Sequence, residues 1–187
     1  MKKSVLTTRK IVFIAMMAAL TAAGSALRIT MPLSIAGTTS FHLGNIMCAL
    51  SGILLGPWFG GLAAGLGSAI YDMFNPLFIQ EAWLTFLMKG VYGLCAGFIA
   101  HAGKQEPGYV KSVLASFAGS VSYALLYLIK SYFKAIWVQG VAANAAWIVV
   151  LDKLPATVFN GVVAVIFAPI LAVAINKALK KNHLSLD

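Results

Sequence analysis

Lys89 is the one charged residue in the apolar run Ala82 to Ala100. An ammonium held at membrane depth costs about 2.5–3.5 kcal/mol on insertion scales, so it faces a cavity or a partner rather than lipid. It can serve as a hydrogen-bonding cation for a bound molecule. It can also form a structural pair with Asp72 or Asp152, or snorkel toward the interface. Lys153 and Asn160 stand seven residues apart in the last apolar run and nearly share a helix face. Asp152 is turned about 100° from Lys153. The Asn160 amide suits the edge of a heterocycle, and equally an interhelical hydrogen bond. His42 and Asn45 open the second apolar run, where Asn45 can cap the helix or line a cavity. Tyr71, Asp72 and Asn75 close the third run, and Lys130 lies near the end of the fifth. Trp83, Tyr123, Tyr127 and Trp147 supply flat apolar surfaces. Aromatic rings with a few fixed polar groups are what a planar organic ligand requires, and interfacial anchoring is the other use of such rings.

These groups need elements to position them, and the composition says which kind. Of 187 residues, 60% are hydrophobic and 10% charged, with a mean hydropathy of +0.89. Soluble domains carry about 25% charged residues, so this chain lacks the polar surface to face water on all sides and takes lipid as its solvent. A membrane helix uses about 20 residues. Six such helices consume nearly the whole chain and leave no room for a soluble nucleotide-binding domain.

The runs can be read directly. The first spans Lys10 to Leu27. Its basic head, Lys2, Lys3, Arg9 and Lys10, is signal-peptide-like, but further apolar segments follow and we read it as the first helix. A polar stretch, Arg28 to Phe41, is expected to be a loop. Leu43 to Leu55 is short for a crossing and is broken by Gly56-Pro57 before Trp58 to Tyr71. Ala82 to Ala100 and Val110 to Tyr132 follow, then an ambiguous segment from Lys134 to Ala146. Trp147 to Ala178 is too long for one straight span, and Pro155 and Pro169 are expected to start, tilt or kink it. The expected fold is an all-α integral membrane protein, residues 1–187 forming one domain of six transmembrane helices in a compact bundle.

Net charge is +9, which in a soluble protein would point to nucleic acid. Here the basic residues follow topology. With both termini cytoplasmic, Lys2, Lys3, Arg9, Lys10, Lys104, Lys111, Lys177, Lys180 and Lys181, nine of the 14, lie inside. Arg28, Lys89, Lys130, Lys134 and Lys153 fall in the outer half with Asp72, Glu81 and Asp152. This asymmetry describes a vestibule open to the outside rather than a pore. It also argues against a small secondary transporter or channel subunit, which needs a polar path through the cytoplasmic half.

Ala15, Ala19 and Ala23, with Ala18, Ala22 and Ala26 beside them, form strips of methyl groups on the first helix that permit close helix approach. The strips serve either packing within the chain or docking to another one. Gly52, Gly56, Gly60, Gly61 and Gly65, and Gly93 with Gly97, are read as internal packing. No phosphate-binding loop, nucleophile elbow or His-Glu-x-x-His motif occurs. His42, His101 and His183 are scattered and make no metal site. Cys48 and Cys95 are expected to be buried free thiols. Nothing points to an enzyme or to a cofactor.

The blocks Phe41-His42-Leu43-Gly44-Asn45 and Leu54-Leu55-Gly56-Pro57-Trp58-Phe59-Gly60-Gly61-Leu62-Ala63-Ala64-Gly65-Leu66-Gly67-Ser68, with Lys89-Gly90, resemble those of the substrate-binding S components of energy-coupling-factor (ECF) vitamin transporters. The similarity is to the riboflavin and pyridoxine-type group and covers essentially the whole chain. It implies a high-affinity vitamin site near the outer face, covered by the loop between the first two helices. It implies docking of Ala15, Ala19 and Ala23 on a scaffold membrane subunit that works with two ATPases. The tetrad His42 to Asn45 departs from the common Asn-Leu-Gly-Asp version, so riboflavin contacts do not carry over. A pyridoxine-type vitamin or hydroxymethylpyrimidine is favoured, with riboflavin next. The expected ligand residues are Lys89, Asn160, Asn45, Tyr71, Asn75, Trp83, Tyr127, Lys130 and Lys153.

Single cysteines test the orientation. Lys3→Cys, Lys104→Cys and Lys181→Cys are expected to react only with reagent admitted to the cytoplasm, and Thr38→Cys and Gln80→Cys with impermeant reagent outside. Labelling of position 104 from outside overturns it.

Overall fold

Lipid cannot satisfy a backbone polar group, so the chain must pair its own, and helices do this within one segment. The computed structural model describes residues 7–35, 37–103 and 107–182. Lys2, Lys3, Lys104 and His183 lie outside the described residues. Among the described residues five α-helices form: α1 (Thr8–Ala26), α2 (Gly44–Met73), α3 (Ala82–Ala100), α4 (Tyr109–Trp137) and α5 (Ala143–Lys181). Each is long and apolar enough to cross a membrane, α3 together with the 3₁₀ turn Ile79–Glu81 before it. Thr7 caps α1, its hydroxyl accepting from Lys10 N–H at 3.3 Å.

Gly56 divides α2. Its φ of 78° is open to glycine and strained for other residues, and Pro57 follows without an N–H to continue the ladder. The two arms, residues 44–55 and 57–73, fold back on each other. A Cβ added at Gly60 would lie 2.5 Å from Gly52 Cα, two positions that a straight helix would hold about 12 Å apart. The break stands where Gly56-Pro57 predicts it. At ~1.5 Å per residue the arms are about 18 and 26 Å long.

The stretch expected to be a loop is instead largely a β-hairpin, β1 (Arg28–Pro32) and β2 (Thr38–His42), paired antiparallel from Arg28 opposite His42 to Pro32 opposite Thr38. Pro32 sits at the strand end, where its missing N–H costs little, and Gly37 takes φ 83° in the connection. The end of the chain also differs from expectation. Helix α4 runs on to Trp137, and α5 begins at Ala143 and continues to Lys181 with Pro155 and Pro169 inside it. Neither proline ends the helix.

Much of the interior is built from small residues, packed around a few large ones such as Leu50, Ile53 and Tyr92. Ala63, Ala64, Ala96, Ala100, Ala115, Ala164, Ala168 and Ala172 are fully buried, while Trp58, Phe117, Leu125 and Phe167 face outward. Large apolar side chains outside and small ones inside suit a protein dissolved in hydrocarbon, where helices associate by close packing. The glycines expected to pack internally do so. An added Cβ at Gly52 would meet Gly93 O at 2.3 Å, at Gly61 Gly90 O at 2.8 Å, and at Gly97 Pro57 N at 2.4 Å. In α1, Ala18 is buried and its carbonyl sits against Gly67. Ala15, Ala19 and Ala23 are exposed on the opposite side. Cys48 is buried beside Ser68, with Sγ–Oγ at 3.7 Å, whereas Cys95 is only half-buried.

Backbone contact at Gly52 leaves no room for a methyl group. Gly52→Ala is expected to cost about 1–3 kcal/mol of overpacking. Gly90→Ala, whose Cβ would meet nothing closer than Gly61 O at 3.7 Å, is expected to be neutral or to gain up to about 1 kcal/mol of helix propensity. Thermal unfolding in detergent compares them, and equal melting temperatures would show that the helices separate freely.

A polar cavity at the hairpin end of the bundle

At the hairpin end the small residues give way to longer polar ones, and a cavity of about 260 Å³ opens between the hairpin and α1 to α5. Ser25 closes it from α1. Gly37 to Ser40 and His42 make the hairpin wall. Ser68 and Asp72 come from α2, Thr85, Met88 and Lys89 from α3, Tyr123, Tyr127, Lys130 and Lys134 from α4, and Lys153, Thr157 and Asn160 from α5. Same-face spacing explains the pairs: Thr85 with Lys89, Tyr123 with Tyr127, and Lys153 with Thr157 and Asn160 stand three, four or seven residues apart.

Lys89 is 3% exposed, and its ammonium donates to Asn45 Oδ1 and sits 3.8 Å from the centre of the Tyr123 ring. It forms no ion pair with Asp72 or Asp152 within 4.0 Å. Tyr92, Tyr123 and Tyr127 stack in a column, with centroids 6.0 and 5.6 Å apart. Lys153, 8% exposed, lies 5.1 Å over Tyr127 and donates to Ser131 Oγ at 3.1 Å. Ring faces attract cations, which offsets part of the cost of burying them. Lys130 and Lys134 both bridge to Glu81 and so join the start of α3 to the end of α4. Arg28 lies 4.4 Å over Tyr71 and 4.7 Å over Phe78, its Nε donating to Ser25 O at 2.9 Å.

Asn160 has a different part from a heterocycle contact. Its Oδ1 accepts from His42 N–H at 2.9 Å and its Nδ2 donates to Ser40 O at 2.8 Å. The amide pairs with β2 as a further strand would. Asp152, reaching out from α5, accepts from Ser34 N–H at 3.0 Å, and Phe41 packs edge-on against Phe159 at 5.2 Å. Together these fasten the hairpin to α5.

Of the residues expected at a ligand, Lys89, Tyr127, Lys130, Lys153 and Asn160 line the cavity. Asn45 lies behind Lys89 as its acceptor. Asn75 closes a turn, accepting from Leu77 N–H at 3.0 Å and donating to the Tyr71 hydroxyl at 2.9 Å, which occupies both side chains. Trp83 is 66% exposed and faces away from the cavity, as an interfacial anchor does. Sequence reasoning put Arg28 at the vestibule without naming it a ligand residue, and it left Thr85, Thr157 and Gln139 out. Thr85 and Thr157 stand four residues from Lys89 and Lys153, so their helix face was readable. Arg28 and Gln139 depend on how their connections fold.

His42 borders the cavity outside the helices. Burial foremost, then the cations Lys89 and Arg28, hold its imidazole well below the ordinary value of 6.5. Its Nδ1 accepts from Gly44 N–H at 3.1 Å, a role open only to the neutral ring. The unfolded chain therefore takes up a proton below pH 6.5 that the folded chain refuses. The histidine's contribution is complete above that pH and is lost as pH falls toward the depressed folded value, by at most about 1.4 kcal/mol per pH unit. Melting curves between pH 7.5 and 5 are expected to show this loss in the parent and not in His42→Asn. An identical slope in the variant would sink the assignment.

Comparison with known proteins fits this architecture. A family model described as "ECF-type riboflavin transporter, S component" matches residues 5–177. An uncharacterized protein in the gap 3' region of Pyrococcus woesei is 31% identical over 91 residues, which cover 49% of this chain and 58% of that protein. The chain thus spans little more than half the length of that curated relative. With 5–177 of 187 residues inside the match, the chain belongs to the family of ECF-type riboflavin transporter S components.

Proposed function

We propose that this chain is the substrate-binding subunit of an ECF-type importer, capturing a small water-soluble vitamin or precursor from outside the cell. The observation that carries the reading is the one-ended cavity. Polar and charged groups from the hairpin and all five helices meet at the hairpin end, while the region of Gly52, Gly93 and Gly97 is closed by backbone contact. A binding subunit needs such a pocket. A channel needs the polar path to continue.

Counting the two arms of α2 separately gives six spans, which returns both termini to one side. The Lys and Arg distribution makes that side cytoplasmic and puts the hairpin outside. The whole chain then serves as one binding domain in the cell membrane, with no catalytic role. Lys89, Tyr127, Lys130 and Lys153 are the ligand-facing groups. Asn160 acts mainly by holding the hairpin, and Asn45, Tyr71 and Asn75 support from behind. A volume of about 260 Å³ lies just under the range of about 300–1,000 Å³ for drug-sized ligands. That favours a one-ring compound of the pyridoxine or hydroxymethylpyrimidine type over tricyclic riboflavin.

The exposed strip Ala15, Ala19 and Ala23 is the docking face for a scaffold membrane subunit, which in turn engages two ATPases. Among the described residues that strip is left exposed, while Ala18 is buried with its carbonyl against Gly67.

Two variants separate the roles. Lys89→Met is expected to weaken binding of the vitamin selected from pyridoxine, hydroxymethylpyrimidine and riboflavin by about ten- to hundred-fold in isothermal titration, the loss of a hydrogen bond to a charged group. Ala19→Trp is expected to leave that binding intact and to abolish co-purification with the scaffold. Unchanged affinity in the first, or an intact complex in the second, removes the corresponding assignment.

A further inference from the structure

The cavity holds more positive charge than its own side chains neutralise. Arg28, Lys89, Lys130, Lys134 and Lys153 line it, against the carboxylates of Asp72 and Glu81. Glu81 is already shared by Lys130 and Lys134. Among the described residues no carboxylate lies within 4.0 Å of Lys89 or Lys153. They donate to neutral oxygens, Asn45 Oδ1 and Ser131 Oγ, and both ammonium groups also lie against tyrosine rings. Both side chains are more than nine-tenths buried. A buried ammonium needs a counter-charge, and amide or hydroxyl oxygens supply only part of one. The neutral His42 ring adds no charge of either sign.

We propose that the ligand brings the missing negative charge, so that the cavity takes a small molecule bearing a carboxylate or phosphate, held by Lys89 beside Tyr123 and by Lys153 over Tyr127. The inference rests on the reading of this cavity as the substrate site and narrows its substrate class. A bare alcohol of a one-ring vitamin leaves both ammonium groups without a counter-charge. An acidic relative of the same size supplies it. Lysine suits this task as a point charge that accepts either oxyanion, where an arginine fork would select for planar, two-pronged geometry.

The test uses purified full-length protein in detergent, freed of co-purifying small molecules. Isothermal titration compares one ring in three forms: pyridoxine, pyridoxine 5′-phosphate and 4-pyridoxate. Inorganic phosphate and benzoate, each against chloride at equal ionic strength, are measured by thermal shift. At least one anionic ring compound is expected to bind ten-fold or more tightly than pyridoxine, and whichever wins distinguishes phosphate from carboxylate. If no ring compound binds, phosphate or benzoate is still expected to raise the melting temperature. Either effect is expected to fall by about ten- to hundred-fold in affinity, or to vanish as a thermal shift, in Lys153→Met and Lys89→Met, with Lys153→Gln as a second variant should the first misfold. Pyridoxine binding as tightly as both anions overturns the proposal. So does the absence of any response to all five compounds, or an anion response that survives in the lysine variants. The importer reading fails separately, if anions bind as expected but no scaffold or ATPase co-purifies from the native membrane.

Discussion

The approach of α2 to α3 is set by what their glycines lack. At Gly52, Gly61 and Gly97 an added Cβ would overlap backbone atoms of the opposite segment at 2.3 to 2.8 Å, so the two helices meet main chain to main chain. Dispersion contacts over such a seam are dense, and in hydrocarbon they are the principal force between helices. The same seam fixes where polar side chains can go. They cannot enter the region of backbone contact, and they collect at the other end, where Asp72, Thr85 and Lys89 project from the same two helices into an open volume. The pocket is in this sense the complement of the glycine seam.

A second dependence runs through the hairpin. Among the described residues its two strands pair only with each other, and an isolated two-stranded ribbon is marginal on its own. Asn160 supplies what the ribbon lacks, a donor and an acceptor at β2, and Asp152 takes one further amide at Ser34. The cover of the cavity therefore belongs mechanically to α5, although the chain joins it to α1 and α2.

Much of this was readable from residue types. The apolar runs locate the helices, Gly56-Pro57 locates the turn between the arms of α2, and a lone lysine in an apolar run marks the pocket. What was not readable has specific causes. The hairpin contains Pro32 and Gly37, which signal a loop, and each strand is only 5 residues long, too short for alternation to stand out. Asn160 offers the same donor and acceptor to a heterocycle or to a peptide group, so its type could not say which it meets. Tryptophan serves an interface and a pocket equally well, and only the exposure of Trp83 decides. Helix α5 passes through Pro155 and Pro169, since a membrane helix tolerates proline where the freed backbone groups find other partners, an effect outside the reach of local propensity.

The clamp between Asn160 and β2 uses backbone atoms of the strand, the N–H of residue 42 and the carbonyl of residue 40. Every amino acid has that carbonyl, and every one but proline has that N–H. The side chains of Thr39, Ser40 and His42, residues that line the cavity, are thus released from making these two bonds. They can be exchanged one at a time, altering the chemistry of the cavity wall, while those two hydrogen bonds survive each step. The lining chemistry and these two anchoring bonds are written on different atoms of β2, with Phe41, whose ring packs on Phe159, as the exception.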